Sequence, residues 1–215
     1  MQPALDPLIA QFNIANKTNV QVIYGSSGKL AAQVEAGAPF DIFLSADESW
    51  IARLRAKWPE RAVVEYGRGR LAEIIAKKGA ICAAGIGANL VSSVRVAIAN
   101  PEHAPYGARA KEVLVVAGVW EPLNARKQIV LAENVSAALQ WVTSGAASHG
   151  VVAWTQAQLL SESTFCVRKI PASEHAPLVQ QMIRLNAASS ADAVWKHLIS
   201  PDSMAAFKRA GLTND

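Results

Sequence analysis

Short apolar runs alternate with segments of helical periodicity along most of the chain. Such alternation is typical of α/β proteins, in which helices cover the faces of a parallel or mixed sheet. The predicted strands comprise residues 20–24, 40–44, 94–99, 128–131, 150–154 and 179–185. The predicted helices comprise residues 5–12, 29–35, 45–54, 108–117, 135–144 and 191–198, the last continuing past Pro201. The sequence therefore predicts the α/β class.

Length and composition allow this fold to be built in two parts. The 215 residues are 51% hydrophobic and 18% charged, which suffices for one large core or two small ones. We expect residues 1–70 and 176–215 to form lobe 1 and residues 71–175 to form lobe 2. A ligand cleft is expected between the lobes, because clefts between domains are preferred ligand sites.

Charge and residue spacing argue against several function classes. The net charge of +4 is modest and the basic residues are scattered, so nucleic acid is not an expected partner. The four histidines are never three to five residues apart or beside a cysteine, which leaves a zinc site without support. Cys82 and Cys166 lack CxxC spacing and are interpreted as buried small side chains, with a disulfide left open. Asp47 is interpreted as a helix cap and Asp41 as the anchor of a strand end.

The most distinctive loop is Gly-Ser-Ser-Gly-Lys at residues 25–29, between a predicted strand and a predicted helix. A phosphate-binding P-loop is excluded, because Ile23 stands where its first glycine is needed and Leu30 where its serine or threonine is needed. The serines also lack Gly-x-Ser-x-Gly spacing, so a serine hydrolase would need a triad hidden from the sequence. The remaining function is an anion site, built from hydroxyl and N–H donors at a helix N-terminus. Taken alone, the loop is more typical of a serine that merely caps the helix.

Two further loops lie between a predicted strand and a predicted helix. They are Asn-Pro-Glu-His-Ala-Pro-Tyr-Gly at residues 100–107 and Ala-Glu-Asn-Val at residues 132–135. Loops at the carboxyl ends of strands can converge on one ligand and supply N–H donors to it. His103, within the first of these loops, is interpreted as a turn residue. Together the three loops favour a protein that binds a small anion.

Four stretches together resemble the molybdate-binding proteins of bacterial ABC importers. They are residues 25–30, residues 37–47 (Gly-Ala-Pro-Phe-Asp-Ile-Phe-Leu-Ser-Ala-Asp), residues 100–107 and residues 133–135, in this order along the chain. The resemblance implies a type II periplasmic binding protein fold, with two lobes and two crossing strands. It implies a monomer in the periplasm that binds molybdate and tungstate and delivers them to an ABC permease at the inner membrane. It implies neither enzymatic activity nor a cofactor.

The resemblance also implies the ligand contacts. Ser27 would give its hydroxyl and its N–H to the anion, with Ser26 beside it, while Tyr106 and Val135 would give backbone N–H groups. All four would contact the oxygens of the molybdenum oxyanion, with no direct ligand to the metal. Neutral donors suit molybdate and tungstate, because these dianions bring only acceptors. Some family members add a tyrosine after a Gly-Ile-Val strand, but residues 150–154 are Gly-Val-Val-Ala-Trp, so that contact is not expected.

The start of the chain departs from the family pattern. Family members begin with an export signal and a first strand whose last residues also contact the anion. Residues 1–5 align with the helix after that strand, so we expect the chain as given to lack both the signal peptide and the first strand. A start codon assigned too late and a true truncation both remain open. In either case we expect lower stability and weaker binding than in an extended form, because neighbouring backbone groups lose their partners.

Several alternatives stay open at this point. The chain could bind sulfate or another oxyanion, or be a truncated homologue that binds nothing. An enzyme on this fold lacks a credible set of acid, base and nucleophile. A cytoplasmic anion-sensing effector domain lacks a helix-turn-helix segment.

Overall fold

The computed structural model describes residues 1–77 and 94–214, which belong to two compact units. Unit 1 comprises Met1–Gly69 and Leu178–Asp215, and unit 2 comprises Arg70–Pro177. The chain leaves unit 1 after Gly69 and returns to it after Pro177, against expected crossings after residues 70 and 175. Within the described ranges, no helix is both long enough and apolar enough to cross a membrane.

Unit 1 contains a three-stranded sheet in which both strand pairs are antiparallel. Its strands, in the spatial order β1-β8-β2, are β1 (Ile42–Ser45), β8 (Leu178–Arg184) and β2 (Val63–Gly69). The helices of this unit are α1 (Gln2–Asn16), α2 (Ser27–Glu35), α3 (Glu48–Lys57), α8 (Ser189–Leu198) and α9 (Pro201–Arg209). Helices cover both faces of the sheet, as the sequence predicts.

The core of unit 1 has two layers because successive residues of β8 point to opposite faces of the sheet. Met182 is fully buried in a cluster with residues of α1, α8 and α9, including Phe12 and Phe207. Ile183 is fully buried in a second cluster with residues of α2 and α3, including Leu54. The central strand thereby holds both helical layers to one sheet.

Unit 2 contains a five-stranded mixed sheet. Its strands, in the spatial order β5-β4-β6-β3-β7, are β5 (Ile129–Ala132), β4 (Val96–Ala99), β6 (His149–Ala153), β3 (Leu71–Ala76) and β7 (Phe165–Lys169). Strand β4 is parallel to β5 and β6, whereas β3 is antiparallel to β6 and β7. The helices are α4 (Pro105–Val116), α5 (Trp120–Ala125), α6 (Val135–Thr143), α7 (Trp154–Ala157) and a 3₁₀ helix (Ala172–Glu174).

The prediction of a buried strand at residues 20–24 is wrong. Residues 18–26 form neither helix nor strand, and Ile23 and Tyr24 are 57% and 42% exposed. The segment is held instead by side chains: Asn13 accepts the Val20 N–H at 2.8 Å, and the Tyr24 hydroxyl donates to the Asp6 carboxylate. An apolar run becomes a strand only where a neighbouring strand takes its backbone hydrogen bonds, and no strand of the described residues does so here.

The described residues include one of the two cysteines of the sequence. Cys166, on β7, is buried and disulfide-bonded, so it is not a free small side chain. The sequence contains one other cysteine, Cys82, which lies outside the described residues.

A carboxylate lies in the interior of unit 2. Glu73, in the middle of β3, is 2% exposed, and Arg168 on the neighbouring β7 donates from Nε to its Oε2 at 3.0 Å. Burial raises the pKa of Glu73, because this effect exceeds the opposing effects of the hydrogen bond from Arg168 and of its charge. The ionised form of Glu73 therefore costs stability in the folded state.

Because the pKa of Glu73 is higher in the folded than in the unfolded chain, its ionisation should lower the free energy of unfolding as pH rises through that interval. Each pKa unit of difference corresponds to about 1.4 kcal/mol. We predict that wild type loses stability relative to Glu73→Gln as the pH rises from about 4.5, the ordinary pKa of a glutamate, through the neutral range. Thermal unfolding of both proteins across this range measures the difference, and parallel stability curves would contradict the prediction.

Candidate anion-binding site

In unit 1, the loop at residues 25–29 leads directly into α2. Ser26 is the N-cap residue of this helix but makes no side-chain capping hydrogen bond, and Ser27 is the first helical residue. The Ser27 oxygen instead accepts the backbone N–H of Ala46, just beyond β1, at 3.1 Å. The alternative that one of these serines merely caps the helix is therefore wrong.

The start of α2 presents several hydrogen-bond donors. The Ser27 hydroxyl uses a lone pair to accept from Ala46 and so keeps its own proton to donate. Among the described residues, no acceptor binds the N–H groups of Ser27 and Gly28, as is usual in the first turn of a helix. Ser26 and Ser27 are both buried, at 3% and 7% exposure. The donors therefore lie in a largely desolvated environment at the positive end of the helix dipole.

In unit 2, α4 begins with a residue that has no N–H. Pro105 occupies the first helical position, so Tyr106 supplies the first N–H of the helix. Gly107 follows, and a Cβ on it would lie 2.1 Å from the carbonyl oxygen of Ala99, at the end of β4. Only glycine permits this approach, and it fixes the start of α4 against the end of the strand.

At the start of α6, one backbone N–H group is capped by a side chain and two are not. Asn134 is the N-cap residue, and its Oδ1 accepts the N–H of Ala137 at 2.9 Å. The N–H groups of Val135 and Ser136 form no hydrogen bond within the described ranges. These two N–H groups carry the partial positive charge of the helix terminus, about half a unit charge.

The starts of α4 and α6 lie at the same edge of the unit 2 sheet. Strands β4 and β5 are parallel, with Ala99 opposite Ala132, and each helix follows the carboxyl end of its strand after a short loop. The Asn100 N–H donates to the Ala132 carbonyl at 2.8 Å and so connects the loop before α4 to the end of β5. The structure thus brings the predicted residues Tyr106 and Val135 to one edge of unit 2, whereas Ser26 and Ser27 belong to unit 1.

The nearby charged residues have the structural roles that the sequence suggested. Asp47 caps α3 by accepting the Ser49 N–H at 2.7 Å, and Asp41 accepts from the Asn186 amide at 2.6 Å. His103 lies in a turn of the loop before α4. Among the described residues, no group of three or more His, Cys, Asp or Glu side chains could hold a metal ion. The available groups are neutral donors, which suit the oxygens of an anion.

Sequence reasoning missed a contact beside Val135. Gln156, in α7, donates from Nε2 to the hydroxyl of Ser136 at 2.8 Å. The two residues are 20 positions apart, and no motif spans them. A serine in the first turn of a helix next to a proposed donor was the available signal.

Comparison with known proteins identifies the family of the chain. The family described as bacterial extracellular solute-binding protein matches residues 1–213. The molybdate-binding protein ModA of Escherichia coli (strain K12) is 29% identical over 98% of this chain and 84% of its own length. ModA of Haemophilus influenzae is 30% identical over 89% of this chain and 77% of its own length. The structure of the Azotobacter vinelandii periplasmic molybdate-binding protein is 32% identical, with a TM-score of 0.86, over all of this chain and 95% of the other.

Replacing Gly107 by alanine should destabilise unit 2, because the added Cβ must push α4 away from the Ala99 carbonyl. We expect a loss of about 3 kcal/mol or more in the free energy of unfolding. Gly118→Ala is the matched control, since Gly118 has a φ of +70° but no atom within 4 Å of a Cβ, and strain alone costs about 1–2 kcal/mol. Chemical denaturation compares the two variants, and equal losses would contradict the close approach.

Proposed function

Since the chain belongs to the family of bacterial extracellular solute-binding proteins, we propose that it is the substrate-binding component of an ABC importer for molybdate and tungstate. The observation that carries this proposal is the donor set, which consists of a serine hydroxyl and N–H groups in the first turns of α2, α4 and α6. Its similarity to proteins named as molybdate-binding, along nearly its whole length, supports the choice of ligand.

We propose four residues as contacts to the anion. Ser27 donates its hydroxyl and N–H, with Ser26 beside it, and Tyr106 and Val135 donate backbone N–H groups to the same anion. A hydrogen bond to a charged group contributes about 1.5–3 kcal/mol. Four such bonds would contribute roughly 6–12 kcal/mol, and a micromolar dissociation constant corresponds to about 8 kcal/mol. These few neutral donors are therefore sufficient in principle for tight binding.

The donors favour an anion that carries no proton of its own. Molybdate and tungstate are dianions whose four oxygens only accept hydrogen bonds, so every donor of the set finds an acceptor. A hydrogen phosphate brings a proton of its own, which finds no acceptor among these donors. Sulfate has the same charge and shape as molybdate but is smaller. A difference in affinity between the two anions therefore has to come from the size of the space around the bound anion.

The working context is proposed on the same basis. The chain would act outside the cytoplasmic membrane, in the periplasm, as a monomer that passes its anion to an ABC permease. The extracellular character of the family and the disulfide at Cys166 support this location, since structural disulfides persist in oxidising compartments. Binding requires no chemical step, so we assign neither catalysis nor a cofactor to the chain.

Replacing Ser27 by alanine should weaken molybdate binding by about 1–3 kcal/mol, or roughly 5- to 150-fold, because one donor to a charged ligand is lost. Ser49→Ala is the control, because its side chain is exposed on α3 and outside the proposed contacts. Isothermal titration calorimetry with molybdate and tungstate measures both variants. An unchanged affinity of Ser27→Ala would place the anion elsewhere.

A further inference from the structure

The first turn of α6 carries a hydroxyl that the proposed donor set does not use. Ser136 is the second residue of this helix and is partly buried. Its oxygen accepts the amide N–H of Gln156 at 2.8 Å and forms no other hydrogen bond within the described part of the chain. A hydroxyl whose oxygen is occupied by a donor still has one proton to donate.

The same arrangement occurs in unit 1. The Ser27 hydroxyl, in the first turn of α2, accepts the Ala46 N–H at 3.1 Å and likewise keeps its proton. In both units a neutral N–H group therefore fixes a first-turn serine as a donor toward its surroundings. Ser136 is in this respect the counterpart of Ser27.

The location of Gln156 places this hydroxyl at the edge of the sheet where the other donors lie. Gln156 follows the carboxyl end of β6, and β6 is parallel to β4, which leads to α4. Its side chain is largely buried, and its Oε1 has no hydrogen-bond partner among the described residues. A buried amide left half-satisfied costs about 1–3 kcal/mol. The amide is turned so that its donor, rather than its acceptor, meets Ser136.

The direction of this hydrogen bond decides what the hydroxyl can bind. If the residue at position 156 accepted the Ser136 proton, the hydroxyl would present its lone pairs outward and would repel an anion. Because the amide donates, the hydroxyl presents its proton next to the open N–H groups of Val135 and Ser136.

We infer that the Ser136 hydroxyl is a further donor to the bound dianion and that Gln156 is the positioning residue that reserves its proton for the ligand. The inference rests on the proposed function and deepens it. A neutral amide at position 156 then contributes to selection of fully deprotonated tetrahedral oxyanions over protonated ones.

The first test replaces Ser136 by alanine and measures molybdate affinity by calorimetry. The expected loss is roughly 5- to 150-fold, because a donor to a charged ligand disappears. Ser144→Ala, at the exposed opposite end of α6, is the control and should bind as wild type does. Melting temperatures without ligand establish that both variants fold. Wild-type affinity in Ser136→Ala overturns the inference.

The second test asks whether Gln156 acts through Ser136. Gln156→Leu keeps most of the side-chain volume and removes the donor, so it should weaken molybdate binding. In the Ser136→Ala background the same change should have little further effect on affinity, because residues that act as a unit are not additive. Independent, additive losses would show a purely structural role for Gln156 and would overturn its assignment.

The third test uses selectivity. Gln156→Glu places a carboxylate that accepts the Ser136 proton, so it should weaken binding of molybdate at least tenfold more than it weakens binding of hydrogen phosphate. A structural disturbance would weaken both anions alike and would contradict the inference.

Failure of the proposed function is distinguishable from failure of this inference. If the wild-type chain binds neither molybdate nor tungstate, both the proposed function and the inference about Ser136 are wrong. If the wild-type chain binds molybdate and Ser136→Ala binds it with the same affinity, only the inference about Ser136 is wrong.

Discussion

The first N–H groups of a helix have no backbone acceptor, and this deficit is the constraint on which the candidate site depends. At α6, Asn134 satisfies one of these groups and leaves those of Val135 and Ser136 open among the described residues. At α2, the serines cap nothing with their side chains. Buried helix termini of this kind are stable when an acceptor arrives from outside the chain, and an anion provides the strongest one. A solute-binding protein can use such termini to hold an anion without a charged side chain.

Packing holds these termini in place before a ligand arrives. Gly107 lets α4 start directly against the Ala99 carbonyl, and the register of β4 with β5 sets α6 beside it. The cluster between α6 and the sheet consists largely of alanines, including Ala97 and Ala138, which are fully buried. Small side chains bring the helix close to the strands. Donors fixed in this way lose little conformational freedom on binding, which favours affinity.

The sequence predicted most helices and the apolar strands well, because their periodicity is a local property. Residues 20–24 have the right composition for a strand but form none, since pairing depends on a neighbour that local sequence does not specify. Strands β2, β3 and β7 were not predicted. In β3 and β7, Glu73 and Arg168 interrupt the apolar pattern, and the two residues form an ion pair in the folded chain. Sequence motifs indicated Ser27 and Val135 as candidate contacts to the anion. The contact between Gln156 and Ser136 required the folded chain.

The central claim is that first-turn donors of neutral character bind a fully deprotonated tetrahedral anion. Its most direct test is the thermal stability and tryptophan fluorescence of this chain during titration with molybdate, tungstate, sulfate and phosphate. We predict a saturable response to molybdate and tungstate, with stabilisation of about 2.7 kcal/mol at a hundred times the dissociation constant. Phosphate should stabilise the chain far less, and the response to sulfate measures how strongly the size of the anion contributes to selection. Equal stabilisation by phosphate, or no response to any of the four anions, would contradict the account.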